Sequence, residues 1–481
     1  MNKIVVLIFA CIVFVGSVVA QGYEIKVKVN GVADTVMYLG HHFGDKKYVV
    51  DTSKVDSKGN CTFSGAEALK KGIYIVVMPS QNMTYFEIIV GNEQKFSVET
   101  DVANLVTNMK VKGSLENKLF NDYQRKMSEL QAKHMALNDA KTKYADNPDS
   151  VKNINDRIAA VNTERHEYIL NMIKNNKQTF WAKVLNSMVE VDVPEPPRDD
   201  KGNITDSTFQ WRYYKQHYFD NIDFKEDGLL RTPIFQGKLN YFFEKVVIPS
   251  PDSMKVESDR VIQMAYQGDS LMFRFVAAHL LNYFETSKIM GFDEVFVHIA
   301  EQWYLSGKTY WGDSTFMAKL TERVVKISPN IIGNIAPDLK KMECHDGTFM
   351  SLHAVEAEYT ILVFFEPDCG HCKKEVPELY SKFKDTLATM GVKVFLVYTQ
   401  YEKDKWIDFI NEKDLITNGW YNVWDGPYPH SNFRNFYDIY STPVVFVLDK
   451  DKRIVAKRIN IENLADFIRF DKQRKEKMGK P

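Results

Sequence analysis

Ile361-Leu362-Val363-Phe364-Phe365-Glu366-Pro367-Asp368-Cys369-Gly370-His371-Cys372-Lys373-Lys374-Glu375-Val376-Pro377 decides how the chain is read. Residues 361–365 form a continuous apolar run, as expected of a strand buried on both faces. Beyond Glu366-Pro367-Asp368 the pattern predicts a helix that opens at the first cysteine. A helix N-terminus offers unpaired N–H groups and the positive end of a dipole. A thiolate placed there has a depressed pKa, in known cases about 3.5 to 7.5. Cys369 is therefore the candidate nucleophile, and Cys372, one turn further on, the candidate resolving thiol. His371 between them adds a donor or a positive charge, which favours the thiolate and a more oxidising couple.

Similar apolar runs flank this stretch at Val392–Val397 and Val444–Leu448. Helical patterns separate them at about 370–389 and 402–413. A closing edge strand follows at Arg453–Ile459, then a helix at about 461–470. Strand–helix alternation with an antiparallel closing hairpin predicts an α/β layer over 330–481. Thr442-Pro443 stands directly before a strand, after a turn, and is a candidate cis peptide bond. Upstream, 21–113 reads as short strands punctuated by Gly, Asn and Asp, the pattern of a small β-sandwich. Over 114–329 the period becomes helical, for example at Leu119, Phe120, Tyr123, Met127 and Leu130. A Pro-rich loop interrupts it at 191–206. The fold class is thus multidomain: β-sandwich, all-α middle region and C-terminal α/β domain.

The chain has 481 residues, with Lys+Arg 62, Asp+Glu 63 and a formal net charge of −1. That balance lacks the basic excess of a nucleic-acid binder, so no nucleic-acid partner is expected. Residues 1–20 read as a signal peptide: Lys3, an apolar run from Ile4 to Val19, and small residues at Val18 and Ala20 before a cleavage point at Gln21. The alternative, an uncleaved anchor, would need about 20 apolar residues to span a bilayer. Export places the chain where disulfides persist. Four cysteines then remain: Cys61, Cys344, Cys369 and Cys372.

Residues from about 331 to 475 resemble the TlpA/ResA group of exported thioredoxin-fold thiol–disulfide oxidoreductases. The likeness rests on Gly333-Asn334-Ile335-Ala336-Pro337-Asp338-Leu339, the Phe364-to-Pro377 stretch, and Thr442-Pro443 followed by a strand and Asp449-Lys450-Asp451. It implies a C-terminal thioredoxin-like domain whose redox-active Cys369–Cys372 disulfide exchanges with protein thiols and disulfides, with no other cofactor and no metal. It implies that Thr442 and Pro443 present backbone to the substrate chain. It also implies a membrane-bound electron donor or acceptor, in the periplasm or cell envelope of a bacterium. Glu375 falls where the family places a carboxylate near the thiols, to tune their pKa or relay a proton; otherwise it is an ordinary first-turn acid. Two positions depart from the pattern. Val363 stands where thioredoxin keeps a buried aspartate, leaving proton transfer to Glu375, His371 or water. Asp368 replaces the usual tryptophan, and its charge would oppose the Cys369 thiolate. The β region, through Asp51-Thr52, Val55-Asp56, Gly59 and Phe63-Ser64-Gly65, resembles a small domain of unknown function that precedes such modules, and the helical middle resembles another companion.

A CxxC can be half a zinc site, for which Cys344-His345 would be the only partner. Haem attachment would need His at Lys373, and a peroxiredoxin motif counted from Pro367 would need Thr or Ser at His371. The chain could instead be an envelope binding or scaffolding protein whose thioredoxin module is structural or a switch. His371 leans towards an oxidising couple, while the family resemblance leans towards a reductase.

Overall fold

Alternation shapes the first domain. In the computed structural model, which describes residues 22–426, 431, 433–439 and 441–478, the strand β1 (Tyr23–Asn30) buries every second side chain. The signal-peptide reading of residues 1–20 lies outside the described residues. β1 pairs with β4 (Asn60–Gly65) and β7 (Lys95–Asp101), and β8 (Lys110–Lys112) closes this sheet. A second sheet takes the order β3-β2-β5-β6, from β2 (Thr35–Phe43), β3 (Lys46–Val55), β5 (Gly72–Met78) and β6 (Thr84–Val90). Ile25, Val27 and Phe63 of one sheet share a core with Met37, Leu39, Val76 and Ile88 of the other. This is the expected two-sheet sandwich. The β3–β4 turn is fixed by Asp56, whose Oδ1 accepts from Lys58 N and Asn60 N at 2.8 Å. Gly59 sits there at φ +81°, a conformation that favours glycine.

Helices follow. α1 (Leu115–Lys143) is capped by Ser114 and α2 (Pro148–Asn175) by Asn147, and the two pair through Leu130, Leu137, Ile154 and Val161. Thr179 caps α3 (Phe180–Met188), and α4 (Phe209–His217) and α5 (Phe235–Tyr241) complete the first compact unit, which runs to Val246 and includes 267–272. Glu116, only 2% exposed, accepts from the backbone N–H of Phe180 and of Trp181 at 2.8 Å each. One α1 carboxylate thereby satisfies the first free N–H groups of α3. Glu116→Ala leaves both donors buried without it and is expected to cost about 2–4 kcal/mol. Chemical denaturation of the full chain followed at Trp181 checks this; a loss below about 0.5 kcal/mol would refute it.

The second unit comprises 247–266 and 273–481. It holds α6 (Pro251–Tyr266), the body of α7 (Ser270–Glu285), α8 (Phe292–Ile299) and α9 (Ser314–Ile327), followed by the C-terminal sheet. Trp303 and Tyr304 are core residues, whereas Tyr310 is exposed. The sheet is built from β9 (Met342–Cys344), β10 (Phe349–Met350), β11 (Tyr359–Phe365), β12 (Val392–Tyr398), β13 (Trp420–Trp424), β14 (Val444–Asp449) and β15 (Ile454–Lys457). Its order is β10-β9-β13-β12-β11-β14-β15. β11, β12 and β13 run parallel to one another, β14 runs antiparallel to β11, and β15 runs antiparallel to β14. In β11, Ile361, Val363 and Phe365 face one core and Leu362 and Phe364 the other, which is why the run is apolar throughout. α10 (Gly370–Lys382), with Pro377 inside it, packs Val376 and Leu379 against the first of these cores. α11 (Lys403–Glu412), the short α12 (Phe433–Phe436) and α13 (Leu464–Met478) complete the domain.

Two features escape the apolar pattern. β13 carries a buried polar residue, Asn422, which donates to Leu415 O at 2.7 Å and accepts from Trp420 Nε1 at 3.1 Å. α13 runs to 478 rather than 470, because Asp471 is buried, accepts from Tyr359 Oη at 2.9 Å and pairs with Arg474 and Lys475.

Candidate active site

The C-terminal end of β11 delivers the chain to Glu366-Pro367-Asp368, and Cys369 N then donates to Glu366 O at 3.1 Å. Cys369 is the N-cap of α10, extended at φ −71° and ψ 124°, and its carbonyl accepts from Lys373 N at 3.0 Å. Its Sγ therefore sits at the start of the helix, where free N–H groups converge. Cys372, one turn on, is completely buried. The strand alternation and the first helical turn thus create an asymmetric pair, one thiol half-buried and one sealed.

Thr442-Pro443 is a cis peptide, as its position before β14 suggested, and β14 lies beside β11. The pairing carries Thr442 to the cysteines: protonated Cys369 Sγ donates to Thr442 O at 3.1 Å. Burial pushes the Cys369 thiol up, but hydrogen bonds from the Cys372 backbone, the Thr442 side chain, the Cys372 thiol and the His371 backbone outweigh it. The net result is a pKa below the ordinary thiol value. Burial dominates at Cys372 and pushes it up to about 12. Burial likewise raises Cys61, to about 11, and Cys344. Of the four described cysteines, Cys369 alone is shifted towards the thiolate.

The remaining site residues are placed unevenly. His371 is 84% exposed, and its Nδ1 lies 3.9 Å from Glu375 Oε1. The structure thus brings His371 and Glu375 together on the surface of α10. Among the described residues, neither thiol has a hydrogen bond to the Glu375 carboxylate. Val363 is packed in the core beneath α10. Asp368 carries a partner that the sequence did not reveal: Lys405 of α11, at 3.0 Å, which holds the Asp368 carboxyl below its usual range. The charge expected to oppose the thiolate is therefore compensated.

Sequence reasoning missed Glu366, whose Oε1 accepts from Thr399 Oγ1 at 3.1 Å. Glu366 lines a cavity of about 330 Å³ at the C-terminal ends of β11 and β12, together with Tyr401, Phe433, Arg434 and Tyr437. Arg434 lies over the rings of Tyr401 and Phe433 at 4.9 and 4.5 Å. The available signal was positional, since crevices at the carboxyl ends of parallel strands are where α/β sheets bind ligands.

Comparison with known proteins matches residues 332–457 to the AhpC/TSA family. Residues 23–120 and 161–313 match two domains of unknown function, DUF4369 and DUF5106. A domain of a possible thiol-disulfide isomerase from Cytophaga hutchinsonii is 41% identical, over 30% of this chain and 97% of that one, with a TM-score of 0.28. A thioredoxin-like protein from Bacteroides caccae is 17% identical, over 58% and 98%, with a TM-score of 0.46. StoA from Bacillus subtilis is 24% identical, over 28% and 98%, with a TM-score of 0.24. No curated protein matches the chain.

Proposed function

We propose, for a chain that belongs to the thioredoxin-like thiol–disulfide oxidoreductases, that it is an exported reductase of protein disulfides in a bacterial envelope. The observation that carries this reading is the asymmetric pair: a nucleophile depressed at a helix N-terminus and a sealed partner one turn away, beside the Thr442 carbonyl. The Cys369 thiolate attacks one sulfur of a substrate disulfide, that S–S bond breaks, and the departing substrate sulfur takes up a proton. Cys372 then loses its proton and attacks the Cys369 sulfur. The second substrate thiolate is released and protonated, and the Cys369–Cys372 disulfide remains. Two electrons and two protons from a membrane-bound dithiol donor restore the reduced pair.

Thr442 and Pro443 hold the substrate strand by its backbone. Proton removal from Cys372 is assigned to water or to the His371–Glu375 pair, which lies on the same helix. The same pair at Cys369 and Cys372 favours disulfide exchange over peroxide reduction, since His371 stands where a peroxidatic motif has Thr or Ser. The apolar run before Gln21 supports export, which would place the chain where substrate disulfides persist.

The reduction potential of the pair, equilibrated against a glutathione series, tests the direction. A reductase is expected near thioredoxin's value, about −270 mV; a value towards about −120 mV would replace this reading with a disulfide donor or isomerase.

A further inference from the structure

Residues Phe436 to Asp438, shortly before Thr442-Pro443, are held from outside the thioredoxin sheet. Asp438, four residues before Thr442, is 9% exposed. Its Oδ1 is paired with Arg323 Nη1 of α9, and its Oδ2 lies 3.4 Å from Arg458 Nη2. Two residues back, Phe436 O accepts from Asn330 Nδ2 at 2.6 Å, just beyond the end of α9. Tyr437, between them, donates through its hydroxyl to Pro337 O at 2.7 Å. α9 also contributes Lys326 to the cavity beside Glu366. None of this is needed to make a dithiol reactive: the contacts that depress Cys369 come from α10 and Thr442.

Building on the reductase reading, we propose that α9 is a working part of the substrate site. Arg323 is a positioning residue that, through Asp438, fixes the segment carrying Thr442-Pro443 and so sets affinity for polypeptide disulfides. Small disulfides need only the partly exposed Cys369 sulfur and are indifferent to it. A polypeptide strand must also meet the Thr442 backbone in register, and a displaced presenting segment weakens that encounter without touching the thiols.

The experiment uses the full chain with insulin as the polypeptide disulfide and an aromatic small-molecule disulfide as the control. Arg323→Ala is expected to raise KM for insulin about tenfold, with kcat/KM for the small disulfide and Cys369 alkylation within about twofold of wild type. Amide exchange at Tyr437 and Ile439 should speed up by at least about tenfold. Arg323→Lys, which keeps the charge, should recover most of the KM. Asp438→Asn, which keeps the shape, should reproduce the split if Arg323→Ala does not fold. Unchanged KM for insulin, unchanged exchange, or an equal loss on both substrates overturns the proposal. A wild-type chain that turns over neither disulfide overturns the reductase reading itself, and this proposal with it.

Discussion

Cys369→Ala is expected to reduce disulfide turnover to the uncatalysed background, a loss on the order of 10³-fold or more. The reason is the division of labour between the thiols. At neutral pH Cys372 is sealed and its pKa is pushed up to about 12, so it supplies almost no thiolate and no accessible sulfur. Cys61 and Cys344 are buried and shifted the same way. No second described cysteine can therefore take over the attack. Insulin reduction with a dithiol donor measures this directly, and turnover retained within tenfold of wild type would sink the assignment of Cys369 as nucleophile.

Cys372→Ala separates attack from resolution. Its Cys369 should still attack, but the adduct has no internal thiol to release it. Mixed disulfides should therefore accumulate to about one per chain, while multiple turnover falls about 10²-fold or more. The variant also has a signature in pH. The Cys372 thiol and backbone are among the groups that lower the Cys369 pKa, so removing the thiol shifts the midpoint of Cys369 alkylation upward. Because the wild-type pKa is depressed, the wild-type rate should level off at a lower pH than a free thiol's, and the variant's plateau should lie between the two. Mass spectrometry of trapped adducts decides the matter: a chain that forms none is a scaffold with a structural cysteine pair.

The thioredoxin-like sheet was legible because its central strands are buried on both faces, so β11, like β14, reads as a continuous apolar run. The pair and the Thr442-Pro443 turn were legible for a related reason, since fixed spacing and a proline leave marks in one dimension. β13 was not, because the buried Asn422 interrupts its apolar pattern and only its partners at Leu415 and Trp420 explain it. The Asp368–Lys405 pair and the Asp438–Arg323 pair were equally hidden. Each joins residues far apart in sequence, and a charged side chain taken alone reads as surface. Glu375 was legible as two readings, a carboxylate that tunes the thiols or an ordinary first-turn acid, and its Oε1 lies 3.9 Å from His371 Nδ1.

Lys457 adds a practical corollary. Its Nζ, on the buried edge strand β15, donates to Asn330 O at 2.6 Å and is paired with Asp293 at the start of α8. The match to the AhpC/TSA family begins only at residue 332, downstream of Asp293, Arg323 and Asn330 alike. A fragment cut at that border would lose both Asp293 and Asn330, the two partners of a lysine the intact chain keeps 5% exposed. In the intact chain the sheet shares its compact unit with residues from Val247 onward, 267–272 excepted. Homology borders and physical borders do not coincide here, and the physical one lies about 85 residues earlier.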